Sequence, residues 1–196
     1  MSREKIRMLV GLGNPGKTYS MTRHNVGFMV LEALSEVFSI PVEKKKQDVL
    51  FGRGNAEGTD IILVKPMAYM NRSGYPTRML AEYFGISGEE MMVIHDDIDL
   101  TFKRLKIKMK GGHGGHNGIR SMIGAFGHGD FIRIRIGIGR PDGPKEVTDH
   151  VLGRFSDEEK EELDRVIVRA RDAAITILRD GIQEGMNTFN QHNDFQ

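Results

Sequence analysis

The chain has 196 residues, enough for a substantial core, and no low-complexity tract or internal repeat divides it, so we treat residues 1–196 as a single domain. It contains no cysteine, which excludes disulfides, thiolate nucleophiles and cysteine-ligated zinc. No apolar run is long enough for a signal peptide or a membrane span, so we expect a soluble protein of the cytoplasm that does not bind membranes.

The charges are unevenly distributed along the chain, although the formal net charge is only +1. Residues 101–140 contain nine lysines and arginines and one acid, so this segment carries +8 and the rest of the chain −7. Such segregation indicates a local face that binds a polyanion.

Periodicity and turn residues predict several elements in the first half of the chain. They are a strand at residues 6–10, a helix at 26–38, a solvated turn at 43–46, a hairpin with strands at 49–54 and 59–65, a loop at 67–74 and a short helix at 76–84. The stretch GLGNPGKTYSMTRHNVG at residues 11–27 directly follows the first strand. A buried strand that ends in such a turn delivers polar side chains to the carboxyl edge of a sheet, where α/β folds bind ligands.

The second half of the chain is predicted in the same way. Its elements are a strand at residues 91–94 that runs into His95-Asp96-Asp97, strands at 104–110 and 131–136, a glycine-rich loop at 111–118, a helix from 119 to 126 and a long helix from Ser156 to Gly181. Strands that alternate with helices, some at hairpin spacing, predict an α/β fold. We therefore expect a single three-layer domain with a twisted mixed β-sheet flanked by helices.

Two of these strands alternate strictly between basic and apolar residues. Lys106 and Lys108 should share one face of the first, and Arg133 and Arg135 one face of the second, with the apolar residues facing inward. Two basic faces of this kind would form a clamp for phosphate. Each strand alone equally suits the solvated face of a half-exposed sheet.

The glycine-rich stretch also matches two phosphate-binding patterns. The dinucleotide pattern G-x-G-x-x-G requires an acid about 20 residues further on, at the end of a second strand. That context is missing, because Glu32 and Glu36 fall inside the predicted helix. The P-loop pattern is matched completely by GLGNPGKT, but its lysine and threonine should begin a helix at once, whereas the apolar stripe begins only at Val26.

The residues that could carry out chemistry point to water activated by a general base. There is no G-x-S-x-G or S-x-x-K motif, and His113 and His116 lie on a glycine loop without the rigid helix of a zinc motif, so we predict no metal site. A neutral histidine, His24, oriented by a carboxylate such as Asp96 or Asp97, can take a proton from water near neutral pH.

Three asparagines, Asn14, Asn71 and Asn117, offer a donor and an acceptor to an ester or ribose without titrating. Plainer interpretations stay open at this point: His24 as an ordinary loop residue, either acid as the cap of a turn, and Asn117 as a helix N-cap.

Seven motifs in order identify a resemblance: GLGNPG, TRHNVG, MNRSG, HDDIDL, GGHGGHNG, RIGIGRP and VLGRF. Through them the chain resembles the bacterial peptidyl-tRNA hydrolases over residues 6–190, and on that basis the P-loop match is a coincidence. The resemblance implies a monomeric, metal-free esterase without a cofactor. Such an enzyme cleaves the ester between a peptide and the 3′ ribose of tRNA, which recycles tRNA from peptides dropped by ribosomes. Its partner is peptidyl-tRNA, through the acceptor stem and 3′ end.

The resemblance also implies a role for individual residues. His24 is similar to the family's proton acceptor, Asp96 to the acid that holds it in its basic form, and Asn14 to the residue that distinguishes blocked from free aminoacyl-tRNA. The implied ester- and tRNA-binding positions are Tyr19, Tyr69, Met70, Asn71 and Asn117, and the implied phosphate contacts are Lys106, Lys108 and Arg135. The chain departs from the family pattern at Ala68 and in the turn after Leu100, and a non-catalytic RNA-binding module is the alternative function.

Overall fold

The computed structural model describes residues 5–141 and 146–191, which form seven strands and six α-helices. The elements in chain order are β1 (Met8–Gly11), α1 (Val26–Phe38), β2 (Lys44–Lys46), β3 (Val49–Ala56), β4 (Thr59–Pro66), α2 (Gly74–Tyr83), β5 (Met91–Asp97), β6 (Leu105–Lys108), α3 (Asn117–Phe126), β7 (Ile132–Gly137), α4 (Val147–Leu152), α5 (Asp157–Asp180) and α6 (Ile182–Phe189).

The strands form one mixed sheet in the order β2-β3-β4-β1-β5-β7-β6. The centre is parallel, because β1 pairs with β4 and β5, and β5 pairs with β7, all in the same direction. Towards the two edges the pairing is antiparallel, between β2 and β3 and between β3 and β4 on one side and between β6 and β7 on the other. The carboxyl ends of β1, β5 and β7 therefore meet at one edge of the sheet, where ligand sites of α/β folds lie.

Helices cover both faces of this sheet. On one face α1, α5 and α6 pack over a buried cluster that includes Leu31 and Ala170. On the other face α2 and α3 pack over a cluster that includes Leu80 and Met122. The predicted three-layer α/β architecture is confirmed. None of the helices in the described ranges has the length and apolar character needed to cross a membrane.

Two glycines bring the start of α1 against the carboxyl ends of the central strands. A Cβ atom on Gly27 would lie 2.4 Å from the carbonyl oxygen of Ile94 and 2.5 Å from that of Leu12, and one on Gly11 would lie 2.4 Å from the carbonyl oxygen of Gly27. The close packing explains these glycines, and it places the residues just before α1 at the ligand-binding edge. Residues 17 and 18 lie in an exposed turn and no helix begins there, so the P-loop interpretation is wrong.

Some predicted boundaries are wrong because tertiary pairing overrides local pattern. The expected turn at residues 43–46 is the edge strand β2, which pairs with β3. The strand predicted at 91–94 continues through Asp97, so Asp96 lies within β5 and not in a loop. The strand predicted at 104–110 is shorter, and Met109, predicted to face inward, is 46% exposed. The helices α4 and α6 were not predicted.

The two basic strands behave differently. In β6 the prediction holds, since Lys106 and Lys108 are exposed while Leu105 and Ile107 are buried. In β7 the prediction that Arg133 faces solvent is wrong, because this side chain is 3% exposed. Its guanidinium donates to the carbonyl oxygens of three glycines, Gly111, Gly112 and Gly129. The glycine-rich loop at residues 111–118 thus folds over this part of β7, and its backbone carbonyl groups bind Arg133.

Candidate active site

A cavity of about 460 Å³ lies beside the carboxyl ends of β1 and β5. It brings together all eight side chains that were predicted to bind or cleave the ester. These are Asn14, Tyr19, His24, Tyr69, Met70, Asn71, Asp96 and Asn117. The three predicted phosphate contacts, Lys106, Lys108 and Arg135, instead line a second cavity of about 340 Å³.

His24 and Asp96 are in direct contact in the first cavity. His24 lies in a short 3-10 helix, Arg23–Asn25, which leads from the glycine-rich stretch into α1. Its Nδ1 atom is 2.8 Å from Oδ1 of Asp96, and the two residues are 7% and 1% exposed. A carboxylate can only accept here, so Nδ1 carries the proton and Nε2 keeps its lone pair. Nε2 has no hydrogen-bond partner within the described residues, which leaves it available as a base.

The pKa values of this pair shift in opposite directions. Burial lowers the pKa of His24, but the charge of Asp96 and the hydrogen bond to it outweigh burial, so that the pKa lies above its usual value. Burial likewise raises the pKa of Asp96, yet attraction and hydrogen bonds from His24 and His116 hold it well below its usual range. Asp96 is therefore ionised at neutral pH, and His24 is a stronger base than a free histidine.

His116 is a second histidine that binds the same carboxylate oxygen. From the sequence it was weighed only as a metal ligand. It is the N-cap of α3, where its Nδ1 accepts hydrogen bonds from the backbone nitrogens of Gly118 at 3.1 Å and Ile119 at 3.2 Å. Nε2 must therefore carry the proton, and it donates to Oδ1 of Asp96 at 2.9 Å. Two imidazole donors thus hold Asp96 ionised and fix its direction.

This tautomer also bears on metal binding. Ligand atoms of His24, Asp96 and His116 lie within 4.8 Å of one another, a spacing that would suit a metal ion. A metal on Nε2 of His116, however, would force the proton onto Nδ1 and break the cap of α3. Metal binding at His24 Nδ1 would likewise replace its hydrogen bond to Asp96. The donor pattern fits a hydrogen-bonded triad better than a metal site.

Asn14 is positioned by Asn25, a residue that was not predicted to take part in the site. The side chain of Asn25 accepts from the Asn14 backbone nitrogen and donates to the Asn14 carbonyl oxygen, both at 2.9 Å. Oδ1 of Asn14 accepts from the backbone nitrogen of Met70 at 2.8 Å. The part of the Asn14 side chain left for a ligand is therefore its Nδ2 donor.

Asn117 does not cap α3, because His116 takes that place, so the N-cap interpretation is wrong. Asn117 is the exposed first residue of the helix and lines the cavity. Its Oδ1 accepts from Nη1 of Arg120 at 3.2 Å, which directs its Nδ2 donor to other partners. Tyr19 and Tyr69 stand edge to face, with ring centroids 6.5 Å apart.

The helix α4 supplies an apolar wall that the sequence did not reveal. Val147, Val151 and Leu152 line the cavity. Arg23, next to His24, donates to the carbonyl oxygens of His150 and Arg154 and pairs with Glu159 at the start of α5. The wall is thereby tied to the segment that carries His24. With only six residues, α4 is too short to show a periodic pattern.

The second cavity lies at the edge of the sheet. Lys106 of β6 stands directly opposite Arg135 of β7, and neither Lys106 nor Lys108 has an ionic partner among the described residues. Nε of Arg135 donates to Oδ2 of Asp97 at 2.5 Å, so its charge is partly balanced. Asp97 also accepts from the backbone nitrogen of Asp99, which bears out the turn-capping interpretation for this acid.

Comparisons with known proteins agree on one family. The family model for peptidyl-tRNA hydrolase matches residues 8–196. The peptidyl-tRNA hydrolase of Geobacillus kaustophilus is 44% identical over 186 residues, which cover 95% of this chain and 100% of that protein. The corresponding protein of Bacillus pumilus is 47% identical over 182 residues, covering 93% and 97%.

Solved structures give the same result. The crystal structure of peptidyl-tRNA hydrolase from Acinetobacter baumannii matches with a TM-score of 0.90 and 37% identity, covering 97% of each chain. A crystal structure of peptidyl-tRNA hydrolase in complex with N-propanol matches with a TM-score of 0.92 and 35% identity, over 100% of both chains.

Proposed function

The chain belongs to the peptidyl-tRNA hydrolase family, and from this premise we propose that His24 and Asp96 cleave the ester that joins a peptide to the 3′ ribose of tRNA. The observation that supports this mechanism most is the 2.8 Å contact between His24 Nδ1 and Asp96 Oδ1 inside the cavity. It leaves Nε2 of His24 as a neutral base beside open space.

The reaction begins with a water molecule between Nε2 of His24 and the ester carbonyl carbon. Nε2 takes a proton from the water as its oxygen attacks that carbon, and the carbonyl π electrons move onto the carbonyl oxygen. The imidazolium that forms lies next to ionised Asp96, which stabilises it. His116 keeps Asp96 in place through the other hydrogen bond to the same oxygen.

The second step reverses the proton transfer. The tetrahedral intermediate collapses, the bond to the ribose 3′ oxygen breaks, and that oxygen takes the proton from Nε2. The products are the peptide with a free carboxyl group and a tRNA with a free 3′ hydroxyl. His24 returns to its neutral form.

Asn14 is suited to distinguish blocked from free aminoacyl-tRNA. The Nδ2 group that it offers is a donor, since Oδ1 is already bound to Met70. A blocked amino group brings a carbonyl oxygen that can accept from such a donor, whereas a free ammonium group brings only donors. Asn71 and Asn117 line the same cavity and would hold the ribose and the ester.

We further propose that the basic residues of the second cavity, Lys106, Lys108 and Arg135, form a clamp that binds a phosphate of the tRNA acceptor stem. We also propose that the enzyme acts as a monomer in the cytoplasm.

If this clamp binds a phosphate, the affinity for tRNA should fall steeply with salt, with a logarithmic slope of roughly 0.7–0.9 for each phosphate contact. Lys108→Ala should reduce that slope by about the contribution of one phosphate contact. Filter binding at several salt concentrations measures it, and a salt-independent affinity would show that the clamp has been misplaced.

The substrate itself provides the test of the proposed function. We expect the protein to release the acyl group from N-acetylaminoacyl-tRNA much faster than from unblocked aminoacyl-tRNA, since Asn14 favours the blocked form. The rate of cleavage should be the same with and without EDTA, because the water is activated by His24 and not by a metal ion. Equal cleavage of both substrates would contradict the role of Asn14 in selecting the blocked form. Loss of activity in EDTA would contradict the role of His24 as the base that activates the water. Tight tRNA binding without cleavage would favour a non-catalytic RNA-binding module.

A further inference from the structure

Among the described residues, one side chain forms hydrogen bonds with the outer side of the edge strand β6. Oδ1 of Asn190 accepts from the backbone nitrogen of Ile107 at 2.6 Å, and Nδ2 of Asn190 donates to the carbonyl oxygen of Ile107 at 3.0 Å. One side-chain amide thus satisfies both backbone groups of one residue, as the backbone of a neighbouring strand would.

Asn190 is itself held in place. It ends α6, and its backbone nitrogen donates to the carbonyl oxygen of Met186 at 3.0 Å. The same helix lies close to β6, because a Cβ atom on Gly185 would be 3.4 Å from Cδ1 of Ile107 and 2.6 Å from Cγ1 of Ile177. The helix and the strand are therefore fixed to each other at Ile107.

Ile107 lies between the two lysines of the proposed clamp. Side chains alternate along a strand, so Lys106 and Lys108 share the face opposite Ile107, and the direction of both depends on the backbone there. Lys106 stands opposite Arg135, and these basic residues line the second cavity together with Asn190. An edge strand leaves the outward-facing groups of its backbone unpaired unless something other than a strand bonds them.

We propose that Asn190 is a positioning residue for this clamp, which fixes the backbone of Ile107 so that Lys106 and Lys108 reach the same phosphate group as Arg135. The inference rests on the proposed function, because it takes the phosphate to be that of the tRNA acceptor stem. It adds that α6, which contributes nothing to the His24 cavity, sets the strength of tRNA binding.

The test compares two substrates in the full-length protein. Asn190→Ala should raise KM for N-acetylaminoacyl-tRNA by about 3- to 10-fold with kcat unchanged, because one or two hydrogen bonds are lost. Hydrolysis of N-acetylaminoacyl-adenosine, which has no phosphate for the clamp, should not change. Asn190→Asp keeps the acceptor but loses the donor and adds a negative charge, so it should weaken tRNA binding at least as much.

A matched control lies on the same helix. Asn187 is exposed and pairs with Gln183 one turn away, so Asn187→Ala should leave both substrates unaffected. Lys108→Ala, measured in parallel, tests the clamp itself. If Lys108→Ala weakens tRNA binding and Asn190→Ala does not, the positioning role is wrong and the clamp stands.

Two further outcomes would also overturn the inference. If neither Lys108→Ala nor Asn190→Ala changes KM for N-acetylaminoacyl-tRNA, these residues do not bind the phosphate, and the proposed role of Asn190 is wrong as well. If Asn190→Ala slows both substrates equally, its effect is one of general stability and not of phosphate binding. Should Asn190→Ala fail to fold, Asn190→Ser, which removes the side-chain amide without adding a charge, decides by the same comparison.

Discussion

We expect His24→Ala to slow ester cleavage by about 10²–10⁴-fold, the range typical of a lost general base. The affinity for tRNA should stay near that of the wild type, because the basic residues of the second cavity lie on other elements. Single-turnover release of the acyl group from N-acetylaminoacyl-tRNA measures the chemical step, and filter binding measures the affinity.

A second histidine serves as the control for this variant. His128 lies outside the residues that line the cavity, so His128→Ala should retain the wild-type rate. A wild-type rate in His24→Ala would end the proposed mechanism. A loss of tRNA affinity as large as the loss of rate would instead make His24 a binding residue.

Asp96→Asn should also slow cleavage, by about 10²–10⁴-fold, and should shift the pH dependence. The amide cannot stabilise the imidazolium by charge, and it can present an NH₂ group where His24 and His116 both donate. In the wild type, kcat/KM should rise with pH as His24 loses its proton, with the midpoint above the usual pKa of histidine. In Asp96→Asn the burial that lowers the pKa of His24 remains while the charge that raises it is gone, so the midpoint should move to lower pH.

The pH profile of kcat/KM across the neutral range separates this effect from general damage. Asp99, an exposed acid of the same motif that pairs with Arg140, is the control, and Asp99→Asn should keep the wild-type profile. An Asp96→Asn variant that is slow but has an unmoved midpoint would mean that Asp96 does not set the pKa of His24.

Much of the fold and the cavity could be predicted because the information is local. The apolar stripe predicted α1 at its observed bounds, Val26–Phe38. The carboxyl ends of parallel strands meet at one edge of the sheet, which is why His24, after β1, and Asp96, near the end of β5, were expected to lie together although they are 72 positions apart in the chain.

The errors concern features that depend on tertiary structure. Arg133 alternates like a solvent-facing residue, and only the fold of the glycine loop over β7 buries it. The lysines of β2 form a strand because β3 offers an edge to pair with, although their local pattern is that of a turn. His116 was missed because the apolar pattern placed the start of the helix at residue 119 and asparagine is the commoner N-cap residue, whereas α3 begins at Asn117.

Nitrogen NMR of the His24 ring, in the wild type and in Asp96→Asn, tests the central claim most directly. We predict that the neutral ring carries its proton on Nδ1 and a lone pair on Nε2, and that its pKa lies above the usual histidine value in the wild type and falls in Asp96→Asn. A neutral ring with its proton on Nε2, or a pKa that does not respond to Asp96→Asn, would contradict the account.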